Sequence, residues 1–221
     1  MKCMGTGIHS SGVSLFAVVA ACAVLAGCSS SVIVEANFPT PLVEPLPVRM
    51  GVIFTDELYD YVHAEQIPQQ STWTIALGDA NVALLEPLFD TMFLETHSVE
   101  QVPLASVDIG RVDGILQPAL ERFEFDVPIG ERDEFVEVWM QYRLTLYEPD
   151  GEVVAEWPVS GYGKAELSGN RARAVQRAAI VAMREVGATI STKFAAQPQV
   201  NYWLQERRNE AALSVESRIV N

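Results

Sequence analysis

Cys28 is the residue of this chain best placed for covalent chemistry. It closes the run Leu25-Ala26-Gly27-Cys28, in which small side chains stand directly before the thiol. Lys2 supplies a thin positive start, and Val13 to Ala26 is almost unbroken apolar sequence. Such a run matches the hydrophobic region of a secretory signal and is too short for a spanning helix, which needs about 20 apolar residues. The alternative is an ordinary signal peptide or an uncleaved anchor with an incidental cysteine. Cys3 and Cys22 lie inside the same segment, so cleavage before Cys28 leaves one sulfur in the mature chain. No disulfide and no thiolate metal site are then expected.

Other chemistries find little to work with. His63 and His97 are the histidines of the mature chain, and neither has a His, Cys or carboxylate at metal-ligand spacing. Asp56, Glu57 and Asp60 form an acidic cluster beside Tyr59 and Tyr61, but a calcium loop needs more oxygens and a turn glycine. Gly161-x-Gly163-Lys164 is followed by Ala165 where a phosphate loop needs Ser or Thr. There is no Gly-x-Ser-x-Gly elbow, and 29 acids bring chance carboxylate neighbours without singling out a pair. The expectation is a protein that is not an enzyme, with no cofactor and no metal. Arg173, Arg177 and Arg184 are less ordinary: they recur at helical spacing on one face, where a row of guanidinium groups suits phosphate or carboxylate. Pairing with acids of the same domain, Glu185 among them, is the competing reading.

The Leu-Ala-Gly-Cys sequence resembles the lipobox of bacterial lipoproteins. That resemblance implies that Cys28 becomes the acylated first residue of the mature chain. One acyl chain binds a bilayer only marginally at about 0.8 kcal/mol per buried CH₂, and the three chains usual in that family make anchoring effectively permanent. An Asp after the cysteine commonly marks inner-membrane retention in the family. Ser29 stands there instead, so the resemblance implies the outer membrane, with the protein facing the periplasm.

Residues 1–27 carry no acid and one base, so removal of that segment leaves 194 residues with 14 bases against 29 acids, a charge of −15. A surface this acidic repels nucleic acid and anionic lipid headgroups, so no broad DNA- or membrane-binding patch is expected, and the charge favours solubility. The length suits one domain plus appendages.

The elements that must position these residues read as follows. Residues 28–47 hold the lipidated cysteine and a segment with Pro39, Pro41, Pro45 and Pro47. It is either a polyproline-type tether with a reach of roughly 60 Å or an arm packed on the domain through Val32, Ile33, Val34 and Phe38. Residues 48–197 are expected to form the periplasmic domain, and 198–221 a C-terminal helix and tail. Within the domain, alternation predicts strands over 48–54 and 72–77, with a shorter one at 99–102. Asp79 is the expected cap of a helix carrying Val82, Leu85, Phe89, Met92, Phe93 and Thr96, which Pro87 should kink or divide. Residues 113–127 read as a strand, with Pro118 at an edge or bulge.

The clearest element is a hairpin over 135–164. It turns at Glu148-Pro149-Asp150-Gly151, and Val136, Val138, Met140, Tyr142, Leu144 and Leu146 share one face. Its second arm places Val153, Ala155, Trp157 and Val159 together. Residues 168–170 should cap a long helix ending near Phe194, with Val175, Ala179, Ala182, Val186, Ile190 and Phe194 as its buried stripe. The fold class expected is α+β: a two-layer sandwich of a mainly antiparallel sheet with a prominent hairpin, packed against two main helices, plus a short C-terminal helix.

That element order, behind the lipobox and the Pro-rich segment, resembles the auxiliary lipoproteins of ABC-type lipid transport systems and the related folds of LptE and the TolB N-terminal domain. The resemblance rests on residues 48–195, with the pieces Glu148-Pro149-Asp150-Gly151 and Trp157-Pro158-Val159. It implies an accessory or assembly subunit in lipid or envelope-component transport. An outer-membrane regulator of a cell-wall synthase and an envelope hydrolase are the alternatives. The partners implied are the membrane, through the acyl chains, and an envelope protein. Tyr162, Trp203 and the arginine row are the expected contact residues.

Overall fold

The structure, a computed structural model, describes residues 29–68, 71–104, 110–128 and 135–219, with side chains as far as Leu213. Cys28 and the apolar run before it lie outside the described residues. The elements are β1 (Ser29–Ile33), β2 (Leu46–Val52), α1 (Asp56–Tyr59), β3 (Val62–Gln66), β4 (Thr72–Ala76), α2 (Gly78–Met92) and β5 (Phe93–Ser98). They are followed by β6 (Gly114–Asp126), β7 (Phe135–Tyr147), β8 (Val153–Glu166), α3 (Arg171–Lys193), a 3₁₀ turn (Phe194–Ala196) and α4 (Pro198–Ile219).

Five strands form the main sheet in the order β5-β2-β6-β7-β8, and three form a smaller one in the order β1-β4-β3. β2 is parallel to both its neighbours, whereas β6, β7 and β8 are antiparallel. The expected hairpin is β7–β8, closed by a Gly151 amide donating to the Glu148 carbonyl with Gly151 at φ +100°. Period-two alternation puts Val136, Val138, Met140, Tyr142, Leu144 and Leu146 of β7 into the core, all fully buried. Pro118 pairs with Leu144 on β7, but β2 accompanies β6 only from Gly114 to Leu116. The missing N–H of Pro118 therefore falls where β6 has become an edge, as expected.

Helices α2 and α3 and the small sheet cover one face of the main sheet. The expected stripe of α3 is buried from Val175 to Ile190, and Phe194 continues it. Close approach is decided at β8. A Cβ on Gly163 would stand 1.9 Å from the Ala178 carbonyl oxygen, and one on Gly161 would stand 2.2 Å from that of Ala182. Helix backbone rests on strand backbone there, and only glycine opposite alanine permits it. The other face of the sheet is polar, with Arg143 joined to Glu121 and Glu156, and Lys164 joined to Glu137.

The structure departs from the sequence expectations at several elements. Helix α2 stops at Met92, and Phe93–Ser98 pairs with β2 as strand β5; Phe93 and Thr96 are thus strand residues, and 99–102 is loop. Pairing a free strand edge outweighs helical periodicity there. Leu77, with no side-chain cap, precedes α2, and Asp79 sits in its first turn, still near the positive helix end. Pro87 faces solvent inside an unbroken α2, because Leu84, Leu85, Leu88 and Phe89 are packed on both sides of it. Residues 29–33, read as part of a tether or arm, form β1 beside β4, with Val32 and Val34 buried. Val153 is exposed and lies beyond a register shift opposite Leu146/Tyr147. The C-terminal helix, expected to be short, spans 22 residues.

The glycine contact is testable. Gly163→Val should cost about 3 kcal/mol, as overpacking against an immovable backbone does, and lower Tm by roughly 6–12 °C. Gly110→Ala, with open space around the added carbon, should stay within about 0.5 kcal/mol of the parent. Paired thermal melts check both.

Candidate functional site

Helix α3 begins at a capped end: the Asn170 side-chain oxygen accepts from the Arg173 amide at 3.2 Å. With its small residues committed to β8, its charged residues lie on the far side. From Arg171 to Met183 every charge is positive, at Arg171, Arg173 and Arg177, and no acid precedes Glu185. Arg177 donates through Nη2 to the Glu166 carbonyl at 2.7 Å and to the Ser168 hydroxyl at 3.4 Å. Among the described residues, Arg173, Arg177 and Arg184 form no ion pair. Glu185, the acid considered as their partner, instead accepts from the Tyr162 amide at 2.6 Å. It thereby caps an N–H on the free edge of β8.

Arg184 stands at the rim of an apolar groove of about 240 Å³ between α2, α3 and the segment leading to β2. Leu84, Pro87 and Leu88 form one wall, Gly187, Ala188 and Ser191 the other, and Phe38 to Pro41 the third. Gly187 sets the spacing, since an added Cβ would come 3.0 Å from Leu84 Cδ1. Pro39 and Pro41 hold the third wall extended. The lining contains no acid, histidine or cysteine. Engineered dry cavities of about 150 Å³ hold a benzene, and whole-ligand pockets start near 300 Å³. This groove therefore has room for part of an acyl chain with its anionic end at Arg184.

Trp203 and Tyr162 do not join the arginine row. Trp203 is 1% exposed and offers no surface to a partner; it seats on Gly114, where a Cβ would stand 2.7 Å from its ring. Its indole is an anchor for α4, and the apolar bulk that suggested a contact serves packing instead. The Arg207 guanidinium lies 5.7 Å from that ring and binds Glu148 at 2.8 Å. Burial pushes the Glu148 carboxyl above its ordinary range, with Arg207 opposing. Tyr162 is exposed on the outer sheet face, since its neighbours Gly161 and Gly163 face α3. Partial desolvation and the nearby Glu137 carboxylate push its hydroxyl upward.

Two polar clusters escaped the sequence reading. Tyr142 donates to Asn81 Oδ1 at 2.6 Å, and Asn81 Nδ2 donates to the Leu58 carbonyl at 3.2 Å, all fully buried. Burial pushes the Tyr142 hydroxyl far upward and keeps it neutral. Arg49 Nη2 meets Asp113 Oδ1 at 2.8 Å, and the Arg49 amide meets Oδ2 at 2.8 Å. Burial alone would raise the Asp113 carboxyl, yet these bonds hold it below the ordinary range. Partners 61 and 64 residues apart leave no local signal. His63 lies tilted on Phe123 and edge-on to Phe125, with ring centroids 5.2 and 5.8 Å away, and meets Glu65, while His97 meets Glu95. Asp56 and Glu57 open the short helix α1. Among the described residues, no three His, Cys, Asp or Glu side chains are grouped to hold a metal.

No protein-family model matches this chain, and no curated protein matches it in sequence. Solved structures do. A Xanthomonas campestris protein of family DUF330 superposes with a TM-score of 0.50 at 13% identity, over 83% of this chain and 99% of its own. A Helicobacter pylori protein described as a neuraminyllactose-binding hemagglutinin homolog gives 0.50 at 11%, over 80% and 100%. A minor lipoprotein from Acinetobacter baumannii gives 0.37 at 5%, over 67% and 92%. At these identities the first two likenesses are of fold alone, and the third is too slight to support more.

The Arg49–Asp113 pair has a defined pH signature. Asp113 has a lower pKa folded than unfolded, so its stabilisation is present above the ordinary carboxylate pKa and is lost as pH falls through the lowered folded value. With both side chains partly exposed, Arg49→Met should cost about 1 kcal/mol at neutral pH. Denaturant melts of both proteins should converge as the medium becomes acidic.

Proposed function

We propose that this chain is a non-catalytic outer-membrane lipoprotein, anchored through acyl chains on Cys28, that serves as an accessory or assembly subunit in transport of lipid or another envelope component. The observation that carries this reading is the groove: its walls are apolar, Arg184 is its cation, and one wall belongs to the segment descending from the cysteine. A carrier surface for acyl chains needs apolar walls and one orienting charge. The lipobox-like sequence supports the anchor.

β1 takes up residues 29–33, which leaves less free chain than a regulator reaching to a distant synthase would use. The groove lining has no acid or histidine; Glu86, Asp90 and His97 line a separate small pocket of about 90 Å³. The short free segment and the apolar groove together support the transport reading.

Two measurements test it. Cys28→Ser should abolish fatty-acid labelling and move the protein from the membrane to the soluble envelope fraction; unchanged labelling and fractionation would refute the anchor. Ala188→Leu, on the exposed wall of the groove, should reduce photocrosslinking by a diazirine fatty acid several-fold while leaving Tm unchanged. Crosslinked peptides outside residues 38–41, 84–88 and 184–191 in the parent protein would refute the groove as the carrier site.

A further inference from the structure

We infer that the domain sits directly on the bilayer, with the amino end of β1 and the first turns of α3 against the anionic phospholipid headgroups of its leaflet. This rests on the proposed acylation of Cys28 and adds an orientation to it.

The chain enters the fold at once. Ser29, the residue bonded to Cys28, is already in β1 and pairs with Thr72, and the Ser30 hydroxyl meets that of Ser71 at 2.8 Å. A single peptide bond therefore joins Cys28 to the sheet, with no linker residue between them. Register then places that point in the molecule. Ser30 pairs with Trp73, whose ring lies 5.5 Å from Phe125. Phe125 pairs with Val138, and Val138 with Gly163, on which Ala178 of α3 rests. β1 also packs directly against α3. The start of β1 thus lies toward the end of the molecule where α3 begins, the end that carries Arg171 and Arg173.

The first turns of α3 are basic in a chain that is acidic as a whole. Positive residues at a helix N-terminus oppose the macrodipole, and Arg171 and Arg173 have no ion pair among the described residues to offset it. Guanidinium groups beside a membrane anchor meet lipid phosphates in a geometry suited to both. Asp126 and Glu166, exposed at the same end, oppose the attraction. Glu137 is engaged by Lys164, and Glu65 by His63. The opposite end carries Trp203, Arg207 and the start of α4, with an acidic groove at Glu148, Glu152 and Glu206, and so faces away from the leaflet.

The test uses the acylated mature protein in vesicles of phosphatidylethanolamine and phosphatidylglycerol. Because the sulfur of Cys28 is taken by lipid, Ser168→Cys and Gln199→Cys each introduce a single thiol for a fluorophore. A headgroup spin label should quench the position-168 probe several-fold more than the position-199 probe. A flexible Gly/Ser insertion between Cys28 and Ser29 should erase the difference. Arg171→Gln combined with Arg173→Gln, or phosphatidylcholine in place of phosphatidylglycerol, should weaken it. Equal quenching at both positions in protein whose intact mass carries the acyl groups overturns the orientation alone. A mass without acyl groups overturns the anchor as well, and a difference unaffected by lipid charge overturns the role of the arginines.

Discussion

The backbone contact between α3 and β8 governs much of the molecule. Gly161 and Gly163 present no side chain, and Ala178 and Ala182 present little, so a helix of 23 residues lies directly on an edge strand. Three consequences follow from that one seat. Glu185 reaches the β8 edge and caps an otherwise free amide. Gly187 meets Leu84, which brings α2 alongside and opens the groove beneath Arg184. The remaining face of α3, with its arginines, turns away from the sheet.

Polar contacts are sorted by depth. On the outer face of the sheet, cross-strand pairs such as Arg143 with Glu121 and Glu156 are solvated, and each contributes little. Inside, Tyr142, Asn81 and the Leu58 carbonyl satisfy one another, and loss of one member would leave a buried polar group unpaired, which costs more than the bond itself contributes. At the end near α4, Arg207 spans the Trp203 ring and Glu148, while Arg49 grips Asp113. These two pairs tie α4 and β2 to strand ends that backbone pairing alone leaves loose.

The segment from β1 to β2 links the small sheet to the groove. Val32 and Val34 enter the core through β1, and four residues after Val34 the chain supplies Phe38 to the groove wall. A single stretch of chain thus runs from Ser29 through the small sheet, past the groove and into β2.

The amino-acid sequence by itself determined the elements whose signals are local. The hairpin β7–β8 follows from strict alternation around a Pro-Asp-Gly turn, helix α3 from its Asn170 cap and apolar stripe, and the edge position of Pro118 from a missing donor. The candidate modification at Cys28 is equally local. Tertiary structure decided whatever depended on partners distant in the chain. Phe93–Ser98 became a strand because β2 offered an edge, and residues 29–33 became β1 because β4 did. Trp203, read as a surface contact, became an anchor because Gly114 left room for its ring. The groove, the Tyr142–Asn81 bond and the Arg49–Asp113 pair exist only where segments dozens of residues apart meet. Periodicity and capping act over a few residues, whereas edge pairing, cavity shape and ion-pair geometry depend on which surfaces the folded chain brings together.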